Sequence, residues 1–213
     1  MYCPLCSSKE VSHYFQDKRR EYLRCGYCQL VFVPEAFHLL PEQELAEYQK
    51  HQNHLDDPGY RTFLARLFEP MANEISPPAN VLDFGCGPGP ALASMFREKG
   101  YQVECYDPYF ANDPSVLLAE AYHMVTATEV VEHLSEPGSV LANLFSYLKP
   151  DGCLGIMTKL VINRDRFATW HYKNDPTHIC FYAEPSLDYI ADKYQCSWQP
   201  VAADAFIFKP LTS

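Results

Sequence analysis

Basic residues are scarce in this chain. Lysine and arginine number 17 against 27 for aspartate and glutamate, a net charge of −10. That balance argues against a broad electrostatic grip on nucleic acid, because phosphate neutralisation supplies most sequence-independent affinity. One local basic patch remains, at Lys18, Arg19, Arg20 and Arg24. Long apolar runs are missing too: no stretch reaches the roughly eighteen consecutive apolar residues that a membrane helix requires. The opening residues, MYCPLCSSKE, hold neither a basic region nor an apolar stretch, so no secretory signal is expected and the cytoplasm is the expected compartment. The 213 residues, 47% of them hydrophobic, suit one soluble α/β domain with a small appendage.

Glycines number only nine, and three of them fall at alternate positions, Gly85, Gly87 and Gly89. The apolar run Val81, Leu82 and Phe84 leads into them as a buried strand, and Ala91, Leu92, Met95 and Phe96 follow at helical spacing until Gly100. This predicts a strand, a tight turn and a helix, with Pro90 at the helix start. Each glycine removes a Cβ that would collide with a ribose, carboxylate or phosphate. The spacing is G-x-G-x-G, with Asp83 two residues ahead, and so departs from the dinucleotide fingerprint. Nearer the N-terminus, Cys3 and Cys6, then Cys25 and Cys28, form two C-x-x-C knuckles at the spacing of a zinc ribbon. A segment this short cannot bury its own core, so a structural zinc ion would supply the folding energy. Cys86, Cys105, Cys153, Cys180 and Cys196 are scattered and read as packing.

Further along, Leu30–Val33 reads as a strand closing the ribbon. Helices are expected over 41–50 and 60–71, with Pro58-Gly59 as a turn before the second and Ser76-Pro77-Pro78 ending it. A second strand, 102–106, ends in Asp107, where a carboxylate accepts hydrogen bonds from both ribose hydroxyls. Only some fifteen residues separate Asp107 from the strand 122–128, so the third strand is expected to be short or missing. On a helical turn, Glu129, Glu132 and His133 stand at i, i+3 and i+4, on one face. A helix over 139–148, a turn at Lys149-Pro150-Asp151-Gly152, a strand over 153–158, a helix over 186–194 and a closing hairpin of 196–201 with 205–209 complete the outline. The stretch 167–182, dense in aromatics and proton carriers, is expected as a functional loop whose aromatics wall an acceptor.

Asp83-Phe84-Gly85-Cys86-Gly87-Pro88-Gly89 resembles the first motif of class I S-adenosylmethionine-dependent methyltransferases. Glu129-Val130-Val131-Glu132-His133 and Leu148-Lys149-Pro150-Asp151-Gly152 resemble later segments of that family, in the expected order over roughly 79–158. The zinc knuckles resemble ribbons ahead of small bacterial methyltransferase domains. The resemblance implies a Rossmann-like, mostly parallel sheet with its last strand antiparallel, organised as a ribbon (1–36), a helical linker and lid (37–78) and a methyltransferase domain (79–213). It implies a cofactor site at Asp83, Gly85, Cys86, Gly87, Gly89, Asp107, Thr128 and Glu129. Arg61, on a helix over the pocket, either meets the cofactor carboxylate or is a solvated surface residue. Glu129 and Glu132 either orient backbone and cofactor groups while His133 lines the pocket, or hold a magnesium ion with His133, as in families sharing E-x-x-E-H. The catalytic candidates are Glu132 and, as base, His133, His171 or His178. The expected activity is methyl transfer to an O or N atom of a small molecule. The alternatives are an RNA methyltransferase docking its substrate through the ribbon and a silent cofactor-binding module.

Overall fold

The computed structural model of the chain describes residues 1–50 and 54–211. Three short antiparallel strands come first, β1 (Val11–Gln16), β2 (Glu21–Cys25) and β3 (Val31–Phe32). One knuckle precedes β1 and the other joins β2 to β3. Helices α1 (Pro41–Tyr48) and α2 (Pro58–Glu74) follow. Asp57 caps α2 by accepting the Tyr60 amide at 2.7 Å. Pro58 occupies the first helical position, where its missing N–H costs nothing. The Pro58-Gly59 pair is therefore the helix's first turn, not a turn ahead of it.

The main sheet begins with β4 (Asn80–Phe84), followed by α3 (Ala91–Glu98), β5 (Gln102–Tyr106) and β6 (Tyr122–Thr128). After α4 (Pro137–Tyr147) and β7 (Leu148–Met157) come α5 (Arg164–Ala168), β8 (Cys180–Phe181) and α6 (Glu184–Tyr194). The hairpin β9 (Cys196–Ala202) and β10 (Ala205–Pro210) ends the chain. The order across the sheet is β5-β4-β6-β7-β10-β9. The first four strands run parallel and β10 is antiparallel to both β7 and β9. Among the described residues no strand pairs with the outer edge of β5: the expected third strand is missing, and only a 3₁₀ turn, Pro114–Val116, fills the gap. The Lys149–Gly152 turn is instead a bulge within β7, since Tyr122 pairs with Leu148 but Met124 pairs with Cys153.

Both faces of the sheet are covered because its strands are apolar in both directions. Val81, Met124, Met157 and Ile207 pack with Leu64, Leu67 and Met71 of α2 and Leu92 and Phe96 of α3. Leu82, Val125, Leu154 and Phe206 pack with Leu141 and Leu144 of α4 and Leu187 and Ile190 of α6.

The expected acceptor loop is largely absorbed by the ribbon. Val31 pairs with Phe181 and Phe32 with Cys180, so β8 becomes the fourth strand of the ribbon's sheet. Phe167, Tyr172 and Phe181 form a third core with Tyr14, Tyr22 and Val31. Phe167 stands edge-on to Tyr22 at 5.0 Å and to Tyr14 at 5.3 Å between ring centroids. Phe167 and Phe181 are taken up by this packing instead of walling an open acceptor space, whereas Tyr172 also lines the cavity described below. The knuckles dock on the larger body as well: Gly138 at the start of α4 donates to the Pro4 carbonyl at 3.2 Å, and Ser186 of α6 donates to the Cys28 carbonyl at 2.9 Å.

Phe167→Ala is expected to lower the unfolding free energy by about 3 to 5 kcal/mol, the usual cost of truncating a buried phenylalanine. Urea titration reads the change, and a loss below about 1 kcal/mol would show that this cluster does not fasten the ribbon.

Candidate functional site

A cavity of about 1590 Å³ opens at the carboxyl ends of β4, β5 and β6, the end at which parallel α/β sheets take their ligands. Its size exceeds the roughly 300 to 1,000 Å³ of ordinary small-molecule pockets, so two ligands can share it. The glycine turn and Asp107 form one side. The turn after β6 and the 171–179 segment form the other, and α1 lies across both, with Glu44 at Tyr109 and Tyr48 at His133.

Gly85 has φ +72 and Gly87 φ +63, the left-handed region that favours glycine. A Cβ on Gly85 would strike the Val130 side chain, whereas one on Gly87 would project into open space. Gly85 and Cys86 donate their amides to the Tyr106 carbonyl at 2.7 and 3.3 Å, which ties the turn to the end of β5. Asp107 completes the tie: Oδ2 accepts the Gly87 amide at 3.0 Å, and Oδ1 accepts the Tyr109 and Phe110 amides at 2.8 and 3.1 Å. An ionised carboxylate offers about four acceptor positions, so room remains for a ligand hydroxyl. Asp83, buried at the base of the turn, accepts the Thr126 hydroxyl at 2.8 Å. Cys86, Gly89, Thr128 and Glu129 also line the cavity. Arg61 does not: its guanidinium pairs with Glu98 of α3, Nη1 to Oε1 at 3.1 Å, because its face of α2 looks along the outside of α3.

At the other end, Glu129 has φ +52 and a 3₁₀ turn covers only Val131–His133. The left-handed residue breaks the helical register, so Glu129, Glu132 and His133 do not share a helix face and the predicted magnesium trio does not form. The ligand-type atoms that come together, within 4.8 Å of one another, belong to Glu132, His133 and His178, a set that can hold a divalent cation. His178 donates Nδ1–H to the Tyr172 carbonyl at 2.8 Å and His133 donates Nδ1–H to the Thr177 carbonyl at 3.2 Å. A carbonyl only accepts, so each neutral ring carries its lone pair on Nε2. The two rings lie 4.7 Å apart. His171 sits exposed at the rim, its Nε2 3.3 Å from Lys159 Nζ.

Glu132 is fully buried and accepts the Tyr172 hydroxyl on Oε1, while its Oε2 and Glu129 Oε1 have no hydrogen-bond partner among the described residues. Burial pushes the Glu132 carboxyl up, and the neighbouring Glu129 charge adds to this. Burial also raises Glu129, against the pull of Lys159. Burial lowers the His178 imidazole, with Asp175 opposing, so the ring is neutral near neutral pH and a weaker base than a free imidazole. Tyr172 bridges Glu132 and His178, through its hydroxyl and its carbonyl. Its place among the aromatics was legible; its pairing with Glu132, forty residues away, had no local signal.

Burial pushes the Asp83 carboxyl from its ordinary 3.8 to about 6, the Thr126 hydroxyl opposing. A raised carboxyl holds its proton more tightly in the folded state, so stability falls as pH rises from the unfolded value through about 6. Relative to Asp83→Asn, the ligand-free protein is expected to lose roughly 3 kcal/mol across that window. Chemical denaturation of both proteins along a pH series measures this. Identical profiles would refute it.

A family profile described as a methyltransferase domain matches residues 50–199. No curated protein matches the chain. Among solved structures, the chain is similar to Burkholderia thailandensis 1,6-didemethyltoxoflavin-N1-methyltransferase with bound 1,6-didemethyltoxoflavin and S-adenosylhomocysteine. That likeness has a TM-score of 0.55 at 16% identity and covers 93% of this chain and 99% of the other. Haemonchus contortus phosphoethanolamine N-methyltransferase 2, in complex with phosphomonomethylethanolamine and S-adenosylhomocysteine, gives 0.53 at 14% identity over 74% of this chain and 43% of the other. A SAM-dependent methyltransferase from Archaeoglobus fulgidus gives 0.53 at 20% identity over 65% and 70%. Likeness at such identities speaks of the fold alone. The profile, by contrast, runs from ahead of α2 into β9, most of the chain, and on that ground the chain belongs to the methyltransferase-domain family, its activity being S-adenosylmethionine-dependent methyl transfer.

Proposed function

We propose that the protein methylates an O or N atom of a small-molecule acceptor and that a structural zinc ion holds its ribbon. The observation that carries the acceptor reading is the neutral His178 ring, its Nδ1–H fixed on the Tyr172 carbonyl, standing beside His133 in a cavity roomy enough for cofactor and acceptor together. The two similar structures with bound S-adenosylhomocysteine also carry small-molecule acceptors, which supports the same class.

The donor fits the near side of the cavity. Gly87 leaves open space where a Cβ would stand, and Asp107, already accepting three amides, retains about one acceptor position for a ribose hydroxyl, with Gly85, Cys86, Gly89, Thr128 and Glu129 also lining the cavity. When bound, S-adenosylmethionine supplies an already activated sulfonium methyl. The protein's own part is to align the acceptor, worth roughly 7 to 11 kcal/mol of barrier, and to take the acceptor proton on His178 Nε2, worth about 10² to 10⁴-fold. Asp175 Oδ2 lies 3.9 Å from that nitrogen and the His133 ring 4.7 Å from the His178 ring, and exposed His171 is the weaker candidate. A second reading, favoured by the partnerless Glu132 Oε2, has Glu132, His133 and His178 hold a divalent cation that acidifies the acceptor hydroxyl. The RNA alternative loses its main support, because Arg20 of the basic patch is buried against backbone carbonyls.

The four knuckle sulfurs suit zinc. Cys3 and Cys28 Sγ stand 3.5 Å apart, as do Cys6 and Cys25, and all four lie within 4.8 Å of one another without a disulfide. A tetrahedral ion with bonds of about 2.3 Å spaces its sulfurs about 3.8 Å apart.

Calorimetry on metal-replete, ligand-stripped protein is expected to show S-adenosylhomocysteine uptake, weakened about tenfold or more in Asp107→Ala through loss of charge-assisted hydrogen bonds. No uptake by the wild type would end the methyl-donor reading at this site. Elemental analysis is expected to find one zinc per chain, and its removal by chelator to unfold the ribbon together with β8. Retention of the ribbon's structure after chelation would refute the structural role, and a second bound metal would favour the cation reading.

A further inference from the structure

The hairpin joining β1 to β2 closes on the turn that carries His178. Arg20, 7% exposed, donates from Nη2 to the carbonyls of Lys173 at 2.7 Å and Asp175 at 2.9 Å, and from Nη1 to that of Pro176 at 3.1 Å. Arg19 donates from Nη1 to the Asn174 carbonyl at 2.9 Å. Two adjacent arginines of the ribbon thus hold four consecutive carbonyls, 173 to 176. Arg20 Nε donates to the Tyr22 hydroxyl at 3.0 Å, and that hydroxyl donates to Asp17 Oδ2 at 3.1 Å. Lys173 closes the ring by donating from Nζ to Asp17 Oδ2 at 2.8 Å. Burial alone would raise the Asp17 carboxyl, but the Lys173 ammonium and the Arg19 and Arg20 amides outweigh it and hold it well below the usual range.

Lys173 and Asn174 end a 3₁₀ turn, His171–Asn174, and the run's one backbone partner among the described residues is the His178 amide, which donates to the Asp175 carbonyl at 3.3 Å; burying the remaining carbonyls unpaired would be costly. The rigid five-donor fork of arginine meets several at once. What these contacts fix is the backbone between Tyr172 and His178, the two residues whose carbonyl and imidazole meet at 2.8 Å. Fastening the ribbon does not require them, since the β3–β8 pairing and the aromatic cluster already join it to the body.

We propose that Arg20 is a positioning residue: from the ribbon it fixes the 173–176 carbonyls, so that the Tyr172 carbonyl holds the His178 ring against that of His133, with Nε2 3.9 Å from Asp175 Oδ2. The significance for catalysis rests on the role proposed above for His178, while the geometry can be tested separately.

The test follows the His178 Nδ1–H signal by NMR in ¹⁵N-labelled full-length protein, assigned by its absence in His178→Gln. Zinc content and S-adenosylhomocysteine affinity are measured alongside. Arg20→Ala is expected to lose the signal or exchange it at least about tenfold faster, with zinc content unchanged and S-adenosylhomocysteine affinity within about twofold. Arg20→Lys, which keeps the charge without the fork, is expected to restore part of the protection. Should Arg20→Ala fail to fold, Arg19→Ala at an exposed position reads the same signal, with faster exchange expected. An unchanged Nδ1–H alongside a lowered thermal transition in Arg20→Ala would overturn the proposal and leave Arg20 as an anchor only. Failure of the wild type to bind S-adenosylhomocysteine would instead strike the methyl-donor reading and leave the NMR comparison standing.

Discussion

Two residue pairs, Val31 with Phe181 and Phe32 with Cys180, join the N-terminal ribbon to the segment that leaves the main sheet after β7. Strands this short do not persist alone. They hold because Phe167, Tyr172 and Phe181 bury against Tyr14 and Tyr22 on one side, while Cys180 and Phe32 join the main core on the other. The ribbon and the loop are therefore one folding unit made from two distant parts of the chain. Whatever stabilises the knuckles also shapes the turn bearing His178.

The electrostatics of the acceptor end follow from that packing. Glu132 lies under the turn, sealed by Tyr172 and by the Ile179 amide, which donates to its carbonyl at 2.8 Å. A buried carboxylate with one partnerless oxygen is unfavourable for folding, and so is Glu129 beside it. The main sheet and its helices provide ample apolar burial to carry that burden. Groups held in such a state respond strongly to a proton, a cation or a donor-bearing ligand, which is why perturbed carboxyls gather at functional sites.

The main sheet was legible from sequence because its information is local: apolar runs, a glycine turn, a strand end at Asp107. The missing third strand was legible from chain length alone. The failures share a different cause. Nothing nearby marks β8 as a strand, since its partner lies some 150 residues away and its stabilising rings belong to the ribbon. Glu129 was read as helical because a left-handed non-glycine residue has no sequence signature. The sequence leaves Arg61 open between cofactor and solvent, because periodicity identifies a helix face without saying what it faces; it pairs with Glu98 outside the cavity. Arg19 and Arg20 resembled a solvated basic patch, and only the folded chain brings four carbonyls to them.

The short sheet and the large cavity have a common explanation in the first fifty residues. With no strand beyond β5, the turn at Asp107 would lie open, and α1 rests there: Glu44 accepts the Tyr109 hydroxyl at 2.7 Å and the Tyr48 hydroxyl at 2.8 Å. Tyr48 then lays its ring edge-on to His133 at 5.3 Å. One piece of the N-terminal region thus roofs the donor side while another, the ribbon hairpin, grips the acceptor side. No residue of α1 is fully buried, so its contacts are weaker than those of the gripped turn.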